Sequence, residues 1–281
     1  MLKLIACVLM LIDHIGYFFY DFLPQDIAVL ARVAGRLAFP LFAYSVALGF
    51  RRTRSPLRYL LRMALFAAAA EGIIRGTAVW AGFAFAPNVL ITFTSAILVL
   101  IGYDLATRSW HDCVATMKLA RSAAAPGMPP LDYPVRIPFG DTGLTPATGL
   151  ALGTLAGAAG LALVLILRPD YGVYGLLHVL VFHQTAARIP AEELSRDQID
   201  ALRARTWIGI AAVNLLFFPF RILVQHIGMD WALIQLVSML ALPLLFLRLP
   251  DPKPGLAVKY GFYLFYPLHI ALLMLLSHAL R

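Results

Sequence analysis

Long apolar runs, each about the length of a bilayer crossing, follow one another along the chain with short polar stretches between them. A crossing helix needs roughly 20 mostly apolar residues. The pattern predicts nine such helices, at about 2–20, 27–50, 57–75, 89–107, 147–167, 171–187, 206–224, 231–248 and 258–279. The expected fold is therefore all-α, a single polytopic helical bundle over residues 1–281. The sixth run is short and follows the Arg168-Pro169-Asp170-Tyr171-Gly172 turn, so eight or ten spans are alternatives. The fifth is almost entirely Ala, Gly and Leu, and such small side chains let neighbouring helices approach closely.

Two interruptions are long. Residues 108–146 are rich in Ala, Pro and Asp without a clear period, which predicts a loose cytoplasmic insertion. Residues 188–205 mix acids with bases and are expected to form a short surface helix. The first apolar run is read as a span, not a cleavable signal. It begins at Leu2 with no basic region beyond Lys3, and an acid and a histidine break its apolar core.

Composition sharpens the class. Hydrophobic residues are 61% and charged ones 14% of 281, against about 45–50% and about 25% in soluble domains. The net charge of +8 has a clear distribution. Arg51, Arg52, Arg54 and Arg58 cluster between the second and third runs, with Arg62 just inside the third, which marks that side, and with it the N-terminus, as cytoplasmic. Alternation then leaves only Arg32, Arg36, Arg75, Arg168, Arg221 and Arg281 in outer loops or spans. The basic excess is thus a topology signal with membrane lipids as partners, not a nucleic-acid footprint. Cys7 and Cys113 are too few and too differently placed for a disulfide framework.

Ionisable residues at mid-bilayer are costly and mark functional sites by default. Asp13 and His14 lie roughly 17 Å along the first helix at 1.5 Å per residue. Arg36, in a descending helix, and His269, in the rising last one, reach a similar depth. Adjacent residues diverge by about 100° on a helix, so Asp13 and His14 are expected to meet different partners. Asp13 is expected to neutralise Arg36, leaving His14 facing a cavity as a base. The alternatives are a polar clamp that only holds helices together and a His269 that merely caps the Tyr266-Pro267 turn.

Other polar residues are weaker candidates. Glu71 and Arg75 have the spacing of a structural pair. Asn88, Thr92 and Thr94 open the fourth span. His178 and His183 are five apart, off a common face, which argues against a two-histidine metal grip. Arg58 and Arg62 share one face and suit either phosphates or topology.

Several motifs, in order along nearly the whole chain, resemble one family. They are Leu2-Lys3-Leu4-Ile5-Ala6 with Met10-Leu11-Ile12-Asp13-His14-Ile15-Gly16, Gly35-Arg36-Leu37-Ala38-Phe39-Pro40-Leu41-Phe42-Ala43, and Gly49-Phe50 with Thr53-Arg54 and Tyr59-Leu60-Leu61-Arg62. Asn88-Val89-Leu90-Ile91-Thr92-Phe93-Thr94, Asp170-Tyr171-Gly172-Val173-Tyr174-Gly175, and Lys259-Tyr260 with Tyr263 and Tyr266-Pro267-Leu268-His269 continue the series. Together they resemble the TraX family, the pilin N-acetylases of conjugative transfer systems, which look related to broader membrane acyltransferases. Those carry a basic residue and then ten residues before a first-helix histidine, as Lys3 and His14 do. The long 108–146 segment and the missing glycine in Thr94-Ser95-Ala96 depart from the family pattern.

The resemblance implies an acetyltransferase of the bacterial inner membrane, drawing acetyl from cytoplasmic acetyl-CoA. The departures leave the outer-side acceptor open between a pilin, another surface protein and a glycan. His14 is the expected general base or transient acetyl carrier, with Asp13 and Arg36 setting the field and His269 as second base or relay. Arg58 and Arg62, with Arg51 and Arg52, are expected to hold the CoA phosphates. Asp170, Tyr171, Asn88, Thr92 and Tyr266 are expected to position the acceptor, and no metal is expected. A proton-coupled carrier using Asp13, His14 and His269, or a non-enzymatic pilus assembly factor, are the competing readings.

Overall fold

A computed structural model describes residues 1–84, 88–123, 137–139, 142–247 and 256–281. Its helices are α1 (Leu2–Phe18), α2 (Gln25–Gly35), α3 (Ala38–Arg52), α4 (Pro56–Ala81), α5 (Val89–Ala123), α6 (Pro146–Leu167), α7 (Gly172–Gln184), α8 (Arg196–Leu223), α9 (Met229–Leu236), α10 (Ala241–Phe246) and α11 (Leu256–Ala279). A small antiparallel pair, β1 (Ile137–Phe139) and β2 (Thr142–Leu144), precedes α6.

Among the described residues, six stretches are long and apolar enough to cross a bilayer: Gln25–Arg52, Val89–Ala115, Pro146–Leu167, Arg196–Leu223, Met229–Phe246 and Tyr260–Ala279. Their outward faces carry large apolar side chains, with Ile166 75% and Leu223 72% exposed. Water does not tolerate such a surface and lipid does. The protein is a multi-pass membrane protein.

The expected count of nine is not established. Runs 2–20 and 171–187 correspond to α1, of 17 residues, and α7, of 13. At 1.5 Å per residue these reach only about 25 and 20 Å, short of a core ~30 Å thick. Run 57–75 lies in α4, which has the length but carries Arg58, Arg62, Glu71 and Arg75.

The expected second span is broken. It divides into α2 and α3 at Arg36-Leu37, because Pro40 has no N–H to give the Arg36 carbonyl four residues earlier. The expected loop at 108 begins late: α5 runs unbroken to Ala123, since no proline or glycine occurs between 108 and 123. The rest of that segment lies largely outside the described residues, as do Arg136 and the Arg121 side chain. The surface helix expected within 188–205 is the first turns of α8, capped by Ser195 and Gln198 in a reciprocal box.

The small residues of α6 do what their size permits. It lies so close to α5 that a Cβ on Gly102 would fall 2.5 Å from the Gly153 carbonyl oxygen. In the centre, Leu41, Ile74, Ile97, Leu100, Phe182, Ile210, Leu242 and Met274 are fully buried and join α3, α4, α5, α7, α8, α10 and α11 into one core.

Candidate functional site

The α1–α2 hairpin and the break after it assemble a charged cluster. Asp13 Oδ2 accepts from Arg32 Nη1 at 2.7 Å, and its Oδ1 accepts from Arg36 Nη2 at 3.3 Å. The pairing of Asp13 with Arg36 expected from depth is present, and Arg32 joins it. Arg32 is not among the expected site residues, although its spacing of four from Arg36 sets both on one helix face. Gly35 makes the approach possible, because a Cβ there would lie 2.2 Å from Asp13 Cβ. Behind the cluster, the Gln235 side-chain oxygen accepts from Arg36 at 3.4 Å and from Arg221 at 3.0 Å. Gln235 in turn donates to the Tyr174 hydroxyl at 3.0 Å. Neither Arg221 nor Gln235 stood out in the sequence.

One helical step on, His14 turns away from Asp13 and meets His269, with Nδ1 2.8 Å from Nε2. Two residues 255 apart in sequence thus touch at the same depth. The network assigns the protons. His269 Nδ1 lies 2.6 Å from the Phe265 carbonyl oxygen, which can only accept, so Nδ1 bears hydrogen. In the neutral ring His269 Nε2 is then a lone pair, and His14 Nδ1–H donates to it. His14 Nε2 is left as the basic atom. His269 is itself held by a parallel stack on Phe265, ring centroids 4.6 Å apart.

Both histidine and charged cluster open on one cavity of about 200 Å³. Asp13, His14, Tyr17, Arg32, Arg36 and Asp170 form its polar side; Phe18, Phe39, Phe42, Phe93 and Ile270 form the apolar one. Asp170 and Tyr171 come from the linker between α6 and α7. Tyr171 holds φ at +63°, a left-handed conformation that a tyrosine adopts only when its surroundings impose it. Its ring stacks on Phe39 at 3.8 Å, and its N–H donates to Asp170 Oδ1 at 3.0 Å. The Thr92 hydroxyl donates to the Asp170 carbonyl and fixes the turn from below. Asp170 is solvent-exposed at the cavity surface, but much of the protein crowds in around its carboxyl. The desolvation by that surrounding protein pushes its carboxyl up to about 6, an effect opposed in part by the Arg36 charge.

A second cavity, of about 250 Å³, lies toward the Lys3 end of α1. Lys3, Ser45, Tyr59, Arg62, Tyr263 and Tyr266 supply its polar groups. The Arg62 guanidinium sits 5.2 Å over the Tyr59 ring. Tyr266, expected at the acceptor, borders both cavities, and its hydroxyl accepts the Val89 N–H at 3.1 Å.

Other expected site residues lie elsewhere. Asn88 and Thr92 line neither cavity: both are buried, and Asn88 bonds the Ala67 carbonyl while accepting the Leu90 N–H. Polar groups at a helix start inside the bundle are drawn first to unpaired backbone. Arg51 is occupied by the His183 carbonyl at 2.7 Å and by Glu192 at 2.8 Å. Arg188 also grips Glu192, which holds that carboxyl below the usual range. Arg52 and Arg58 are exposed and line neither cavity. Glu71 and Arg75 form the expected pair at 2.7 Å. His178 bonds the Tyr174 carbonyl and His183 bonds Asp104, so the two histidines serve separate contacts. Among the described residues, no three His, Cys, Asp or Glu side chains are grouped to hold a metal ion.

Comparison with known families gives one match: the family described as TraX protein, over residues 1–133. The resemblance read from the motifs of α1 to α5 is borne out over that stretch. It contains Asp13, His14, Arg32 and Arg36, whereas Asp170 and His269 lie beyond it. No curated protein and no solved structure matches the chain.

Proposed function

We propose, from the TraX-family character of residues 1–133, that this protein is a membrane-embedded acetyltransferase. It takes acetyl from cytoplasmic acetyl-CoA and passes it to an acceptor on the outer side, a pilin N-terminal amine or another surface amine or hydroxyl. The observation that carries the reading is the His14–His269 contact at 2.8 Å beside a cavity. It leaves His14 Nε2 basic and oriented by a partner that is itself fixed.

In this reading the chain lies in the bacterial inner membrane with its N-terminus cytoplasmic, so the second cavity faces inward. Lys3 and Arg62 would meet the CoA phosphates there as charge-assisted donors. The thioester then reaches His14 from below and the acceptor from above. His14 Nε2 takes the proton from the amine or hydroxyl as it attacks the acyl carbon. Arg36, on the same cavity wall, offers positive charge to the oxygen that becomes negative. Collapse breaks the C–S bond, and the departing thiolate leaves as the thiol with the proton His14 holds. A transient acetyl-His14 is the alternative route through the same atoms.

Replacing His14 by alanine tests this. Purified His14→Ala is expected to keep its fold and CoA affinity while losing acetyl transfer from labelled acetyl-CoA by about 100-fold or more. Undiminished turnover would remove His14 from catalysis. Calorimetric titration of the wild type with CoA giving only heat of dilution would favour a carrier or an assembly factor.

A further inference from the structure

The two cavities meet at one wall. Met10, Phe42, Val89, Phe93 and Tyr266 line both, whereas His14 borders only the first and Lys3 and Arg62 only the second. A thioester held from the Lys3 side therefore has to pass this wall to meet His14. Three of its members are pinned. Tyr266 is bonded to the Val89 N–H, and Phe93 lies parallel to Phe39, which is itself stacked on Tyr171. Met10 and Phe42 are the others. Met10 lies one turn before His14 on the same face of α1, and its unbranched thioether has three rotatable bonds. Phe42 comes from α3, is only partly buried, and lines both cavities with a flat, stiff ring.

We propose that Met10 and Phe42 form the aperture through which the acyl thioester reaches His14, and that its width selects unbranched short acyl groups. The proposal rests on the transferase reading. Met10 yields and Phe42 does not, so the opening is set by how far a methionine can swing from a fixed ring. An acetyl group presents one methyl at its widest. An isobutyryl group presents two at the same depth and has to displace Phe42 itself. Differences of one methyl-sized group in an apolar site are worth about 10- to 200-fold in kcat/KM.

The test uses the full-length protein in nanodiscs, following release of the CoA thiol from acetyl-CoA and isobutyryl-CoA with a simple primary amine as acceptor. Wild type is expected to favour acetyl-CoA. Phe42→Ala is expected to raise the isobutyryl-to-acetyl ratio of kcat/KM about tenfold or more, and Phe42→Leu by less. Phe42→Trp, which narrows the gap, is expected to lower acetyl-CoA turnover while calorimetric affinity for CoA itself holds. A ratio unmoved in the Ala and Leu variants, with acetyl-CoA turnover intact, overturns the aperture alone. Should Phe42→Ala not fold, the Leu and Trp variants decide by the same ratio. Wild type releasing CoA from neither donor overturns the transferase reading and the aperture with it.

Discussion

Adding one methyl at Gly35 strikes the assembled site at its tightest contact. The new Cβ would lie 2.2 Å from Asp13 Cβ, 2.3 Å from Oδ1 and 2.4 Å from Cγ. Rotating the carboxylate relieves only the last two, because Cβ is fixed to the α1 backbone. Helices α1 and α2 must therefore separate. Overpacking of this kind costs about 1–3 kcal/mol. If Asp13 also loses Arg32 and Arg36, two guanidiniums remain only 19% and 13% exposed without their carboxylate. Breaking a buried pair adds about 3–5 kcal/mol, with the lower end apt for partly open groups.

Gly72 and Gly76 on α4 supply the control, since a Cβ at either meets nothing within 4 Å. Alanine there is expected to be neutral or stabilising by up to about 1 kcal/mol. The assay is unfolding of the purified variants in one lipid composition and at one scan rate, because irreversible unfolding makes midpoints rate-dependent. The cost of Gly35→Ala should also shrink in an Asp13→Ala background, where the struck atoms beyond Cβ are gone. Gly35→Ala within about 0.5 kcal/mol of Gly76→Ala would refute the close approach, and with it the geometry of the cluster.

Two further outcomes follow from the same site. Asp170 has its carboxyl raised to about 6 by desolvation from the protein around it, against about 3.9 in an unfolded chain. The folded state thus binds this proton more tightly, so the contribution to stability is present below about 3.9 and is lost as pH rises through about 6. Asp170→Asn should flatten the stability profile between those values; a profile unchanged by the substitution refutes the desolvation argument. His269→Gln should lower turnover less than His14→Ala and shift the acid limb of the pH–rate profile, as expected of a positioning residue. An unshifted profile with equal loss of rate would mean that His269 only packs.

How far the site could be read beforehand depended on how few places a membrane allows for charge. Asp13, His14, Arg36 and His269 were legible because each is expensive in lipid, so their depths alone implied that they meet. Arg32 carries the same signal, inside the same predicted span and on one face with Arg36, but is not among the residues whose depth was compared. The break at Arg36-Leu37 was also written, in Pro40, but hidden by an apolar run that continues straight through it. What could not be read was the fate of polar groups that satisfy themselves locally. Asn88 and Thr92 have the same chemistry whether they face a cavity or a stray carbonyl, and only packing decides.

The cavities were beyond sequence for a related reason: five side chains in an otherwise ordinary apolar pattern separate them. That wall gives the polar cluster its meaning. A clamp that merely joined α1, α2 and α11 would be most stable with its last lone pair paired or sealed in apolar contact, since an open polar atom at that depth gains nothing for packing. Here the chain of bonds from Phe265 through His269 ends on His14, a residue that lines a cavity. The Asp13 carboxylate beside it is already divided between two arginines and is not available to take the proton. The arrangement satisfies every partner of the histidine except the one side that faces the cavity. Such an economy is hard to explain by helix association and simple to explain by a reacting group that arrives there.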